Sequence, residues 1–485
     1  MNILGIIAEF NPLHTGHAYL IQRLRRETGA AFCVVAMSGD YVQRGEPAFF
    51  SKFLRTRAAL SCGADLVLEL PLSVSTGSAE YFAQGAVSLL DRLGCITHLG
   101  FGSESGDIRY FQLAGTLLSH EPAAFRSLLQ DNLKAGMSFP KARYKALSAF
   151  LTGHTPSDKL PLTQEEVSGI LSLLDTPNNI LGTEYLKALH RLHSSITPVT
   201  IKRVGAGYHE NIADAEKCTS GRELPAAKKC ISGRKISSAE KCTPDREISA
   251  AEKYLPGREI SYAEHSASAD DTLIPQYASA SGLRKSFLAF PDTKERNRLL
   301  THYIPESCHA LYLSALMERQ YVTFDDFFLP IYYTLQYTDA ETLSRYQDVT
   351  PEFAHRLLSL FRQCTSVTGL CTELNSKNLT AARISRSLLH ILLQLTKDVV
   401  CLEKEQGFSL YARILGFRKE AQPLLSLIRK NTAVPLVSKP ADAPGYLSKM
   451  ALAQLQQTIK ASELYRAALP GNPSGSEYTQ NIIIL

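Results

Sequence analysis

Two histidines three residues apart, His14 and His17, flank Gly16 just beyond an apolar run that ends at Phe10. A helical pattern, AYLIQRLRRETG, follows at once. Imidazoles at i and i+3 on such a strand-to-helix turn point to an anion site. Backbone N–H groups at a helix N-terminus favour phosphate, and imidazoles add side-chain donors. Gly16 lets the backbone approach the ligand closely. Donors placed this way suit attack on an α-phosphate, where charge builds on the phosphoryl oxygens in the transition state, and the helix dipole assists. A metal site would need a third ligand such as Asp40, and no spacing enforces one. A second candidate cluster, Ser279, Ser281 and Arg284, supplies hydroxyls and a cation of the types that hold a departing pyrophosphate. The same Ser-x-Ser-x-x-Arg pattern is also common in loops and helix caps. No Ser–His–Asp or Cys–His set stands out as a nucleophile.

The elements that must position these groups read as a parallel α/β sheet. Apolar strands are expected at Ile3–Ala8, Ala31–Met37, Asp65–Leu70 and Thr97–Phe101, separated by helices such as Lys52–Cys62 and Ala79–Leu93. Continuous apolar strands alternating with helices indicate a sheet covered on both faces. Its ligands sit at the carboxyl ends of the strands, so the loops Asn11–His17, Ser38–Glu46 and Gly102–Asp107 should converge on one cleft. Residues 110–195 read as mostly helical, with an Asn cap expected where Pro177, Asn178 and Asn179 open a helix. Thr197–Val204 reads as another parallel strand. From about residue 300 the pattern is helical, as in Cys308–Arg319, Pro351–Cys364 and Ala381–Leu395. The run Tyr411–Phe417 suggests a small strand or buried turn, and Asn481–Leu485 either an edge strand or a frayed end. Lys377, Arg383 and Arg386 could form a basic face on the helical half, although such clusters are commonly solvated faces only.

Residues 213–265 stand apart. At period 12 they read AEKCTSGRELPA, AKKCISGRKISS, AEKCTPDREISA and AEKYLPGREISY. Cys218, Cys230, Cys242 and Tyr254 fall in register, as do Arg222, Arg234, Arg246 and Arg258. The period is below the solenoid range and lacks an apolar face, so a disordered surface insertion without a catalytic role is expected; a basic arm for RNA is the alternative, although the repeats also carry acidic residues.

The chain has 485 residues, 45% of them apolar and 20% charged, as in a globular protein. No apolar run approaches the ~18 residues of a bilayer span, no leader peptide is evident, and a cytoplasmic protein is expected. Ten cysteines include no C-x-x-C pair, which argues against structural zinc. A net charge of +5 permits a nucleic-acid partner without arguing for one.

The strand–HxGH–helix start with a later Ser-rich loop ending in Arg resembles the HIGH-type nucleotidyltransferase superfamily. Six motifs in order resemble the tRNA(Met) cytidine acetate ligase family over nearly the whole chain apart from the repeats. They are GIIAEFNPLHTGH, MSGDYVQRGEPA (37–48), GADLVLELP (63–71), FGSESGD (101–107), PNNILGTEYLKAL (177–189) and IKRVGAGYH (201–209). The resemblance implies an enzyme that activates acetate with ATP, with Mg²⁺ on the triphosphate, and passes the acetyl group to N4 of the wobble cytidine of elongator tRNA(Met). Carried over by motif, the ATP site comprises Ile7, Ala8, Glu9, Phe10, Asn11, Pro12, Leu13, His14, Thr15, Gly16, His17, Ala18, Tyr19 and Leu20, with Gly102, one of Asn178 and Asn179, and Arg203. His14 and His17 are the expected catalytic pair. Ser279, Ser281 and Arg284 are expected at pyrophosphate, and Lys377, Arg383 and Arg386 at tRNA. The expected architecture is a Rossmann-like parallel-sheet nucleotidyltransferase domain (1–208), the repeat insertion (209–272), the end of the catalytic domain (273–300) and a mostly helical domain (301–485). Residue types alone leave two rivals open, a transferase that adenylylates a small phosphorylated metabolite and a non-catalytic nucleotide-sensing RNA-binding protein.

Overall fold

The computed structural model describes residues 1–153, 162–203, 279–290, 292–376, 379–471 and 475–485. The 12-residue repeats, Lys377 and the end of the IKRVGAGYH motif lie outside them. Ten strands are present among the described residues: β1 (Ile3–Ala8), β2 (Phe32–Ser38), β3 (Tyr41–Val42), β4 (Glu46–Pro47), β5 (Leu66–Leu70), β6 (His98–Ser103), β7 (Thr197–Lys202), β8 (Ala412–Phe417), β9 (Leu436–Val437) and β10 (Ile483–Ile484). The main sheet runs β10-β8-β5-β2-β1-β6-β7, with β9 beside β8, and β3 pairs only with β4.

The five strands β5, β2, β1, β6 and β7 are mutually parallel, as their continuous apolar runs require. Both faces are covered. Val34 and Ala36 of β2 pack into one core with Leu89, Leu90 and Phe111, whereas Cys33, Val35 and Met37 pack into a second with Leu24, Phe50 and Tyr312. The chain leaves β1 toward β2 on one side and later places β6 on the other. A crevice therefore opens beyond the carboxyl end of β1, the usual ligand position in such sheets.

The second half of the chain is less separate than its helical pattern suggests. Strand β8 pairs antiparallel with β5, and β9 and β10 both lie parallel to β8. A third core, built from residues such as Phe327, Leu357 and Leu388, also takes in Tyr41 and Leu72 from the first half. Helix Ala381–Leu392 is strongly amphipathic in sequence, and its residues from Ile384 to Leu392 are all buried.

Candidate functional site

Helix α1 (Thr15–Thr28) begins directly at the crevice, with His14 as its N-cap. Nδ1 of His14 accepts the backbone N–H of Gly16 at 3.1 Å, and Nδ1 of His17 accepts the backbone N–H of His14 at 3.3 Å. An Nδ1 that accepts cannot carry a proton. Each neutral ring therefore holds its proton on Nε2 and offers one N–H donor. The rings lie 3.8 Å apart between centroids, and the edge of Phe10 packs against His17 at 5.1 Å. Burial pushes His14 down to about 3, helped by the nearby Arg203 cation. Burial also holds His17 well below the usual imidazole range, with His14 and Arg203 adding to it. At neutral pH both rings are uncharged donors, and Arg203 is the cation beside them.

The loop before α1 is held from four directions. Asn11 Oδ1 accepts the Phe49 N–H at 2.7 Å, and the Leu13 N–H donates to the Tyr312 hydroxyl at 3.1 Å. Arg284 donates to the Asn11 carbonyl at 2.7 Å. Arg55, wholly buried, donates to the carbonyls of Glu9 (2.6 Å), Phe50 (2.9 Å) and Ser38 (3.1 Å), and also to that of Gly39. One guanidinium thus gathers the ends of β1 and β2. The Glu9 carboxyl accepts the Gln43 N–H at 2.9 Å, and burial raises it above the ordinary carboxylate range against the pull of that bond and of Arg44, Arg284 and Arg55.

The expected ATP residues from later motifs meet at the same edge. A Cβ built on Gly102 would lie 3.5 Å from Arg203 and 3.6 Å from Leu20, which brings those three together beside the histidines. The Arg203 N–H donates to the Ser103 carbonyl at 2.8 Å and extends the β6–β7 ladder. Helix Pro177–Arg191 is capped by Thr176 rather than by Asn, and no side-chain cap bond forms there. Proline at the first helical position displaces the boundary by one residue. The two asparagines instead organise the FGSESGD loop. Asn179 Oδ1 accepts the N–H groups of Glu104 (3.0 Å) and Ser105 (3.1 Å), and Asn178 Nδ2 donates to Glu104 Oε1 at 2.6 Å. Asn179 is buried and spent on the backbone, whereas Asn178 is half-buried.

The Ser-rich segment forms the start of helix Ala280–Ala289, with Ser279 as N-cap accepting the Gly282 N–H at 3.1 Å. Ser279 and Ser281 place their hydroxyl oxygens 3.4 Å apart. Arg284 reaches the HxGH loop, where it clamps Asn11 and lies 3.6 Å from Glu46. Its contacts are those of a loop clamp.

Arg386 is withdrawn from the basic face expected on Ala381–Leu392. Arg386 is buried and its Nε donates to Asp348 Oδ2 at 2.7 Å, while Arg383 is half-buried. A Cβ on Gly45 would stand 2.3 Å from the backbone nitrogen of Arg386, so this helix braces the MSGDYVQRGEPA turn. Apolar spacing alone did not reveal which face of the helix turns inward. Lys377 lies outside the described residues.

Sequence reasoning also passed over a buried ionic group beneath the crevice. Lys52 Nζ lies 2.7 Å from Glu69 and 3.8 Å from Asp40, and contacts Glu477; Arg413 lies 2.9 Å from Glu69 and 2.8 Å from Glu477. All five side chains are at most 8% exposed. The signal was a glutamate inside the otherwise apolar strand LVLEL, which needs a buried cation. Among the described residues no group of three His, Cys, Asp or Glu side chains could hold a metal ion. No helix among them is long and apolar enough to cross a membrane.

The model of the HIGH Nucleotidyl Transferase family matches residues 1–269 and 258–481. A tRNA(Met) cytidine acetate ligase of Acetivibrio thermocellus is 33% identical over 492 residues, covering all of both chains. One from Halothermothrix orenii is 32% identical over 489 residues, covering all of this chain and 99% of its own. Among solved structures, Thermotoga maritima TmcAL bound with alpha-thio ATP superposes over the whole of both chains with a TM-score of 0.78 at 25% identity. The apo form of the same protein gives 0.79 at 26%. With the paired histidines at the head of a parallel sheet and full-length likeness to these relatives, the chain belongs to the HIGH nucleotidyltransferases, in the family of the tRNA(Met) cytidine acetate ligases.

Proposed function

We propose that this protein is an ATP-dependent acetate ligase acting on elongator tRNA(Met). An acetate oxygen attacks the α-phosphorus of ATP, and the bond to the bridging oxygen breaks to release pyrophosphate, leaving acetyl-adenylate. The amino nitrogen N4 of the wobble cytidine then attacks the acetyl carbonyl carbon, AMP departs with the electron pair, and N4 loses a proton. No covalent enzyme intermediate is required.

The observation that carries the first step is the pair of neutral imidazoles whose Nδ1 atoms are both occupied by backbone N–H groups. Each presents an Nε2–H donor whose orientation is fixed before ATP arrives, and such donors stabilise charge developing on the α-phosphoryl oxygens. The N-terminus of α1 and Arg203 add positive potential at the same place. Gly102, Leu20 and the Asn178–Glu104 pair line the adjoining edge, which suits the nucleoside. Mg²⁺ would travel with the triphosphate, whose oxygens it prefers; it would neutralise charge on the β- and γ-phosphates. Arg284 steadies the loop through Asn11, and the adjacent Ser279 and Ser281 border the pyrophosphate side. The relatives' names carry the choice of acetate and tRNA(Met).

The test supplies ATP, labelled acetate and elongator tRNA(Met), and follows pyrophosphate release and label in the RNA. Acetate-dependent pyrophosphate release with label on one cytidine supports the reading. Adenylylation of a phosphorylated metabolite without acetate dependence would overturn it, as would RNA and nucleotide binding without any pyrophosphate.

A further inference from the structure

With Arg386 buried and committed to Asp348, the expected basic face on helix Ala381–Leu392 loses a cation, and a different basic surface stands out in the first half of the chain. Between Pro122 and Gly153 there are five Lys or Arg residues against one acidic residue, Asp131, in a chain whose net charge is only +5. The segment folds as two packed helices, Ala123–Lys134 and Phe139–Leu151, joined at Gly136. Their inner contact is apolar, with Phe125 and Phe150 edge to face at 6.4 Å. The cations Arg126, Lys134, Lys141 and Lys145 are all exposed, and none forms an ion pair with another described residue.

Aromatic side chains lie among them. Phe139 is 55% exposed and Tyr144 41% exposed. Lys141, Tyr144 and Lys145 fall at i, i+3 and i+4 and so share one helix face. Burying such rings in the core would be the ordinary outcome; here they remain in solvent beside cations. That combination suits RNA, whose phosphates take the ammonium groups and whose unstacked bases lie on aromatic rings. The exposed pair Tyr333 and Tyr337, by contrast, is followed by Asp339 and Glu341 and offers phosphate no such cations.

The two-helix unit is also tied to the nucleotide site. Arg143 of the second helix lies 2.7 Å from Glu184 of helix Pro177–Arg191, the helix whose first turn carries Asn178 and Asn179. RNA resting on this unit would therefore be registered against the crevice through one shared helix.

We propose that the outer face of Ala123–Leu151, through Lys134, Lys141, Lys145 and Tyr144, binds the phosphodiester backbone and an unstacked base of the substrate RNA. The proposal rests on the functional reading above and assigns the surface on which its second substrate docks.

The test compares the wild-type protein with a Lys134→Ala/Lys141→Ala/Lys145→Ala variant and with Tyr144→Ala, using elongator tRNA(Met) over a series of salt concentrations. ATP-induced thermal stabilisation, measured beside it, reports the nucleotide site and the fold. The triple variant should keep that stabilisation, lose about tenfold or more in tRNA affinity, and show a salt slope shallower by about 2 to 3, since each lost phosphate contact removes about 0.7 to 0.9. Tyr144→Ala should weaken binding by about fivefold or more with the slope unchanged, as expected for a lost stacking contact. Unchanged affinity and slope in the triple variant would overturn the proposal. So would wild-type binding to phosphatidylglycerol vesicles that the triple substitution removes while tRNA binding persists. If the wild-type protein neither binds nor acetylates the RNA, the functional reading falls and this surface with it; a wild type that acetylates alongside an equally competent triple variant sinks the surface alone.

Discussion

The backbone N–H of His14 donates to Nδ1 of His17, so the second histidine of the HxGH motif orients itself on the first. The first does the same through the Gly16 N–H. Both rings are thereby fixed in one tautomer and cap the helix. Removing His17 should deprive the α-phosphate of one fixed donor. His17→Ala is expected to lower acetate-dependent ATP–pyrophosphate exchange by about a hundredfold or more, the cost of a lost oxyanion donor, while tRNA affinity is retained. Exchange at the wild-type rate would remove His17 from the chemistry.

The same burial makes a prediction about acid. The folded-state values of His14, about 3, and His17 lie below the unfolded imidazole value near 6.5. The unfolded chain then binds more protons below pH 6.5. The stability these neutral rings allow is complete above that pH and is lost as pH falls toward their folded values. His14 should add up to about 1.4 kcal/mol per pH unit to the slope between pH 6 and pH 4, and His17 should act in the same direction. Denaturant unfolding of wild type and His14→Gln over that range should show a shallower slope for the variant.

Glu477 should matter to stability more than its place near the chain's last residues suggests. It faces both Lys52 and Arg413, and those cations have only Glu69 and Asp40 to share otherwise. Glu477→Gln leaves buried charge uncompensated and should cost about 3 kcal/mol or more. Because water is excluded, raising the salt concentration should not recover it. Loss of less than about 1 kcal/mol in denaturant unfolding would contradict this account.

Arg386 provides a control for the RNA surface. Burial would raise the Asp348 carboxyl, but the Arg386 guanidinium holds it below its usual range. Arg386→Ala should lower stability by about 3 kcal/mol, as when one partner leaves a buried pair. The salt dependence of tRNA binding should stay as in the wild type. A shallower slope in this variant would return Arg386 to the RNA interface.

The sheet was legible where strand and helix patterns alternate. Expected Ile3–Ala8 is observed unchanged, Ala31–Met37 moves by one residue at both ends, and Asp65–Leu70 loses its first residue. Their apolar runs leave no other way to bury both faces. The HxGH turn was legible for a related reason, since glycine and paired imidazoles between strand and helix have few other uses. Contacts between distant segments were not. Nothing local to Arg55 shows that it will collect the carbonyls of Glu9, Ser38 and Gly39, and nothing local to Arg386 shows that Asp348 will face it. Strand β8 was visible as an apolar run, but its antiparallel place beside β5 depends on more than 200 residues of intervening chain and carries no local signal.

The last ladder of the sheet pairs Ile483 and Ile484 with Gly416 and Phe417, and Glu477 closes the charge cluster under the crevice. On a ribosome the histidine loop is made first and Lys52 soon after, whereas Glu477 follows Lys52 by 425 residues and Arg413 by 64. A nascent chain would keep the Lys52 ammonium hydrated for most of its synthesis and the Arg413 guanidinium for the last stretch of it. The charge cluster and the last ladder of the sheet would thus close together, as the final step of making the chain.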